Sequence, residues 1–91
     1  MTTRLVHVSG KVQHVGYRDW AVRTAQRLGV KGWVRNLRDG RVEILAMGEE
    51  TALDEMVEAC REGPQSAQVD RVDAAPADPV RAMGFTKRFT A

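Results

Sequence analysis

The chain has 91 residues, a single cysteine and a formal net charge of +2. That length admits one domain with one modest core, taken here as residues 1–91. Nothing approaches the roughly 18 consecutive apolar residues of a membrane span, a lone cysteine excludes a disulfide framework or a cysteine metal cluster, and scattered basic residues give little support to nucleic acid binding.

Residues 4–9 alternate, with Val6 and Val8 on one face and Leu5, His7 and Ser9 on the other, as a strand requires. The next stretch, Gly10-Lys11-Val12-Gln13-His14-Val15-Gly16-Tyr17-Arg18, links that strand to a segment of helical periodicity. A glycine-bearing turn between a strand and a helix start is where backbone N–H groups converge on an anion. Asp and Glu are absent until Asp19, so nothing in or before the loop repels one. Arg18 falls at the helix N-terminus, where the macrodipole disfavours a cation by a few tenths to ~1 kcal/mol. An anion between the two removes that conflict, and the loop reads as a phosphate or carboxylate cradle.

From Tyr17, apolar residues recur at 17, 21, 25 and 28, widened by Trp20 and Val22, and Gly29 closes this amphipathic helix. Val30 to Asn36 reads as a second strand. Leu37-Arg38-Asp39-Gly40 supplies an Asp-Gly turn, and Val42, Ile44 and Ala46 alternate in a third strand, completing a hairpin. Leu53, Met56, Val57 and Cys60 share one face of a second helix, with Glu49 and Glu50 suited to its positive end and Gly63-Pro64 stopping it. Gln68 to Ala74 is a polar strand at or near a sheet edge, Pro76 and Pro79 mark a loop, and Phe85, Lys87 and Phe89 alternate in a last short strand.

The order βαββαβ plus a short C-terminal strand fits an α+β fold of the ferredoxin-like, split βαβ plan. Both helices are then expected on one face of a mixed, mainly antiparallel sheet. A right-handed crossover sets the first two strands parallel, so their C-terminal ends share one edge of the sheet. The Gly10–Tyr17 loop and Asn36 are thereby predicted to meet.

These residues carry a resemblance. Val8 to Arg18 is similar to the first acylphosphatase signature: an apolar residue, any residue, then Gly-x-Val-Gln-Gly-Val-x-aromatic-Arg. The second signature is Gly-aromatic-Val-basic-Asn, three residues, Gly-x-Val, five residues, Gly. Gly32-Trp33-Val34-Arg35-Asn36, Gly40, Val42 and Gly48 resemble it at that spacing. The resemblance covers nearly the whole chain. His14 departs from it, standing where the family usually has glycine, and Tyr17 replaces the commoner phenylalanine. A histidine forced to positive φ is strained where glycine is not, and changed rate or affinity is expected rather than loss of activity.

The resemblance implies an enzyme that hydrolyses acyl phosphates to a carboxylate and inorganic phosphate. Carried over, Arg18 binds the phosphoryl oxygens and Asn36 positions the attacking water. Backbone N–H groups of Gln13, His14, Val15, Gly16, Tyr17 and Arg18 hold the remaining oxygens. An acyl phosphate is already activated, so positioning and charge stabilisation suffice without a covalent intermediate. Arginine's fork matches phosphate oxygens as lysine's point charge does not. No metal or cofactor is implied. The expected partners are a small-molecule acyl phosphate and inorganic phosphate, with no nucleic acid and no membrane. Met1 to Arg4 shows no secretory signal, so a cytoplasmic monomer is expected.

Other chemistry-bearing residues read more plainly. His7 is taken as a strand residue facing solvent or the sheet edge, and Cys60 as an inert core thiol. Trp20 and Trp33 are taken as packing residues, and Lys87 and Arg88 as solvated strand charges. Two other functions compete with this one. An RNA reader of this fold stacks bases on aromatics of its central strands, and residues 4–9 and 41–47 contain none. A catalytically weak binder of acyl or carbamoyl phosphate rests only on His14.

Overall fold

Val6 and Val8 are fully buried while their neighbours are not, and that alternation is the seed of the sheet. The computed structural model describes residues 1–91. β1 (Thr2–Lys11) lies between β3 (Val42–Gly48) and β4 (Gln68–Pro76), antiparallel to both. β2 (Lys31–Asn36) pairs antiparallel with the far side of β3, and β5 (Phe85–Lys87) pairs parallel with β2. The order across the sheet is β4-β1-β3-β2-β5. α1 (Tyr17–Leu28) and α2 (Glu50–Glu62) place Tyr17, Ala21, Ala25, Leu53, Met56 and Cys60 in the core. That core also takes Val6, Val8, Val34, Val42, Ile44, Ala46 and Phe85 from the sheet. The βαββαβ plan with two helices on one face of a mixed sheet is the observed architecture.

The other face of the sheet follows from the register. His7, Glu43 and Arg35 stand side by side across β1, β3 and β2, and Leu5, Leu45 and Trp33 form the next row. His7 is therefore not a free strand residue: its Nε2 lies 2.8 Å from Glu43 Oε2, and Arg35 Nε donates to Glu43 Oε1 at 2.7 Å.

Several strand ends depart from the sequence reading. β1 runs from Thr2 to Lys11, so Gly10 and Lys11, read as the start of the cradle loop, pair instead with Val69 and Gln68 of β4. β4 runs through Pro76, because a proline at the end of an edge strand removes no ladder bond that the sheet needs. β5 stops at Lys87, and Phe89, expected to share its alternation, is 94 % exposed. Lys87 already reaches Asp19 in the first turn of α1, so two residues further on the helix layer has ended and nothing remains to bury a phenyl ring.

Candidate active site

β1 and β2 both run antiparallel to β3, and β5 runs parallel to β2. All three therefore end at the same edge of the sheet, at Lys11, Asn36 and Lys87. A cavity of about 200 Å³ opens there, lined by Val12, His14, Gly16, Tyr17, Arg18, Asp19, Asn36 and Lys87. The predicted meeting of the loop with Asn36 is observed, and it includes a third partner from β5.

The loop is built around two left-handed residues, His14 at φ 63° and Gly16 at φ 80°. Gly16 caps α1 without a side-chain hydrogen bond, and the first amide of the helix to find a backbone carbonyl is Trp20 N–H, 3.0 Å from Gly16 C=O. The seven N–H groups of Gln13 to Asp19 donate to no protein acceptor. With the positive end of the α1 dipole behind them, they form an uncommitted donor set beside the cavity.

Each expected site residue has a defined place. Arg18 is half-buried, and its guanidinium donates from Nη1 to the Arg88 carbonyl at 2.9 Å. Asn36 is only 6 % exposed, yet its side-chain amide makes no hydrogen bond within the protein. Its backbone, by contrast, is fixed, with its carbonyl accepting from Ala91 N–H at 3.0 Å. His14 is exposed at the rim. Gln13 and Val15 do not line the cavity. The Gln13 side chain turns to the hairpin and donates from Nε2 to the carbonyls of Leu37 at 2.7 Å and Arg41 at 2.9 Å. That double bond of one amide to both sides of the turn ties the loop of Arg18 to the strand end of Asn36. Val15 packs against the core.

Tyr17 anchors the loop from below. Its ring is 2 % exposed, and its hydroxyl donates to the Cys60 carbonyl at 2.7 Å. In a continuing helix that carbonyl would accept from the residue four positions on, but Pro64 has no N–H to give. Burial first, and then the neighbouring Cys60 side chain, push the phenol far above its ordinary pKa. Burial likewise raises the Cys60 thiol to about 11, consistent with an inert core cysteine.

Asp19 and Lys87 were missed by sequence reasoning as cavity residues. Lys87 Nζ donates to Asp19 Oδ1 at 2.8 Å, and this hydrogen bond holds the carboxyl below its usual range. Reading Lys87 and Arg88 as solvated strand charges therefore needs correction. Both are exposed, but Lys87 is ion-paired at the cavity, and the Arg88 guanidinium lies 5.0 Å from the ring centre of Trp33. The signal that would have found Lys87 is the parallel pairing of β5 with β2, which periodicity does not reveal. No group of three or more His, Cys, Asp or Glu side chains is placed to hold a metal ion, and no helix is long and apolar enough to cross a membrane.

Comparison with known proteins agrees with this geometry. The family model described as Acylphosphatase matches residues 5–90. An acylphosphatase of Rhodospirillum rubrum is 50 % identical over 88 residues, covering 97 % of each chain. One from Acidiphilium cryptum is 44 % identical over 90 residues, covering 99 % of each. The crystal structure of an acylphosphatase from Bacillus subtilis superposes with a TM-score of 0.92 at 35 % identity, covering 97 % of this chain and 99 % of that one. With matches of this extent, the chain belongs to the acylphosphatase family, hydrolases that act on acyl phosphates.

Proposed function

We propose that the phosphoryl group of an acyl phosphate occupies the cavity at the α1 N-terminus, held by Arg18 and the amides of Gln13 to Arg18, and that Asn36 orients the attacking water. The observation that carries this reading is the pairing of a cation with an unbonded amide at one small cavity: Arg18 and Asn36 both line it. Of the seven free N–H groups of Gln13 to Asp19, five belong to residues that line it as well. The Asn36 carboxamide has no partner in the protein and its polar atoms are open at the cavity, so donor and acceptor are free for a water and a phosphoryl oxygen. Arg18 offers its remaining N–H groups as a fork matched to phosphate, while its bond to the Arg88 carbonyl fixes its direction.

Substrate activation does much of the chemical work, so positioning and charge neutralisation of a loose transition state account for the rate without a covalent intermediate. The same reading takes the working unit as a single cytoplasmic chain of one domain. The test is hydrolysis of an aryl acyl phosphate, without added metal, by wild type, Arg18→Ala and Asn36→Ala. Each substitution is expected to cost at least ~10²-fold in kcat/KM, the scale of one preorganised donor lost. A loss under about threefold in either variant, with the fold intact, would refute the role given to that residue.

A further inference from the structure

A second cavity, of about 320 Å³, adjoins the first and is lined by Arg18, Lys87, Arg88 and Phe89. Arg18 and Lys87 line both. An acyl phosphate likewise has two ends, joined by one bridging oxygen. With the phosphoryl group in the first cavity and the acyl group in the second, that oxygen lies where the two cavities share their walls. Arg18 is engaged with the phosphoryl oxygens in the reading above, which leaves Lys87 at the junction. An ammonium carries three donors, and Asp19 takes one of them at 2.8 Å. Asp19 stands in the first turn of α1, so the ion pair fixes Nζ relative to the cradle while leaving two N–H groups free. Phe89, 94 % exposed, adds an apolar wall that the core does not use.

We propose that the second cavity receives the acyl end of the substrate and that Lys87 binds the bridging oxygen as it departs. This rests on the assignment of the phosphoryl group to Arg18 and the loop. In the step, the water oxygen forms a bond to phosphorus while the bond from phosphorus to the bridging oxygen breaks. The electron pair of that bond stays on the bridging oxygen, which leaves as part of a carboxylate, and both water protons end on the phosphate as H₂PO₄⁻. In a loose transition state the departing oxygen gains negative charge before the new bond is complete. A cation beside it therefore acts more on the transition state than on bound substrate.

The experiment compares kcat/KM for acetyl phosphate and a series of ring-substituted benzoyl phosphates across wild type, Lys87→Met and Lys87→Arg, with thermal unfolding as the check on folding. Lys87→Met is expected to lose about tenfold on acetyl phosphate, whose carboxylate is the poorest leaving group in the set, a modest figure for one solvent-screened donor. The loss should shrink as the benzoate becomes more acidic, so that the dependence of rate on leaving-group pKa steepens. Lys87→Arg should keep the wild-type slope. An equal loss on every substrate, or none, overturns the proposal, because a general packing or phosphate-binding role is blind to the leaving group. Arg18→Ala in the same assay keeps the two readings apart: if it retains activity, the underlying assignment fails whatever Lys87 does.

Discussion

His14 is the one non-glycine residue of the chain at positive φ, at 63°. A side chain there carries strain of about 1–3 kcal/mol, offset in part because glycine is freer in the unfolded chain by about 0.4–1 kcal/mol. His14→Gly is therefore expected to raise stability by about 0.5–1 kcal/mol, read as a higher urea midpoint at unchanged slope. Two residues on, Gly16 sits at φ 80° with open space where a Cβ would stand. Gly16→Ala is expected to lower the midpoint by a similar amount from backbone strain alone. Opposite signs at neighbouring positions of one loop would locate the cost of the cradle in its backbone rather than in its contacts. At the same scale, the expected ~10²-fold losses for Arg18→Ala and Asn36→Ala contrast with the smaller, substrate-dependent loss for Lys87→Met.

The elements are joined by a few polar bonds whose loss has a calculable direction. The Tyr17 hydroxyl stands in for the N–H that Pro64 lacks, so Tyr17→Phe leaves the Cys60 carbonyl unpaired at the end of α2. A cost of about 1–3 kcal/mol is expected in chemical denaturation. Across the open face of the sheet, Glu43 is held by His7 and Arg35. Burial alone would raise its pKa, but those two hydrogen bonds outweigh it and the net shift is downward from 4.5. A carboxylate with a depressed folded-state pKa adds stability that is complete above its unfolded value and is lost as pH falls through the folded one. Wild type should therefore lose more stability than Glu43→Gln between about pH 6 and pH 3. Near neutral pH the substitution itself should cost about 1–3 kcal/mol. Parallel acid limbs for the two proteins would show that Glu43 gains nothing from its partners.

At the scale of the whole molecule, Cys60 reports on cooperativity. It is completely buried, with its thiol raised to about 11 by burial, and both facts keep the reactive thiolate away from solvent. Alkylation by iodoacetamide is expected to proceed only through opening of the core, so its rate should rise with urea in step with global unfolding. Fast labelling of native protein would mean that α2 detaches on its own. The same buried stripe that makes Cys60 silent made α2 legible in the sequence, as did the spacing of Tyr17, Ala21, Ala25 and Leu28 for α1. Elements with one buried and one wet face write their period into the residues. The cradle and Asn36 were legible through glycine placement, missing acids and signature spacing. Their meeting followed from the handedness of a single crossover.

The end of the chain was not legible in that way. Lys87 and Arg88 look like solvent-facing charges because a three-residue strand is too short to carry a period, and nothing local states which strand it joins. Only the parallel pairing of β5 with β2 carries Lys87 to Asp19 and the Arg88 carbonyl to Arg18. Likewise, the Gln13 side chain and the His7–Glu43–Arg35 row depend on partners 8 to 36 residues away. By itself the sequence determined the elements, their order and the residues offered to an anion, because burial period and backbone freedom are local properties. The tertiary structure alone decided which polar side chains hold those residues in place and which cation from the end of the chain joins them at the cavity, because those contacts exist only once distant strands have been laid edge to edge.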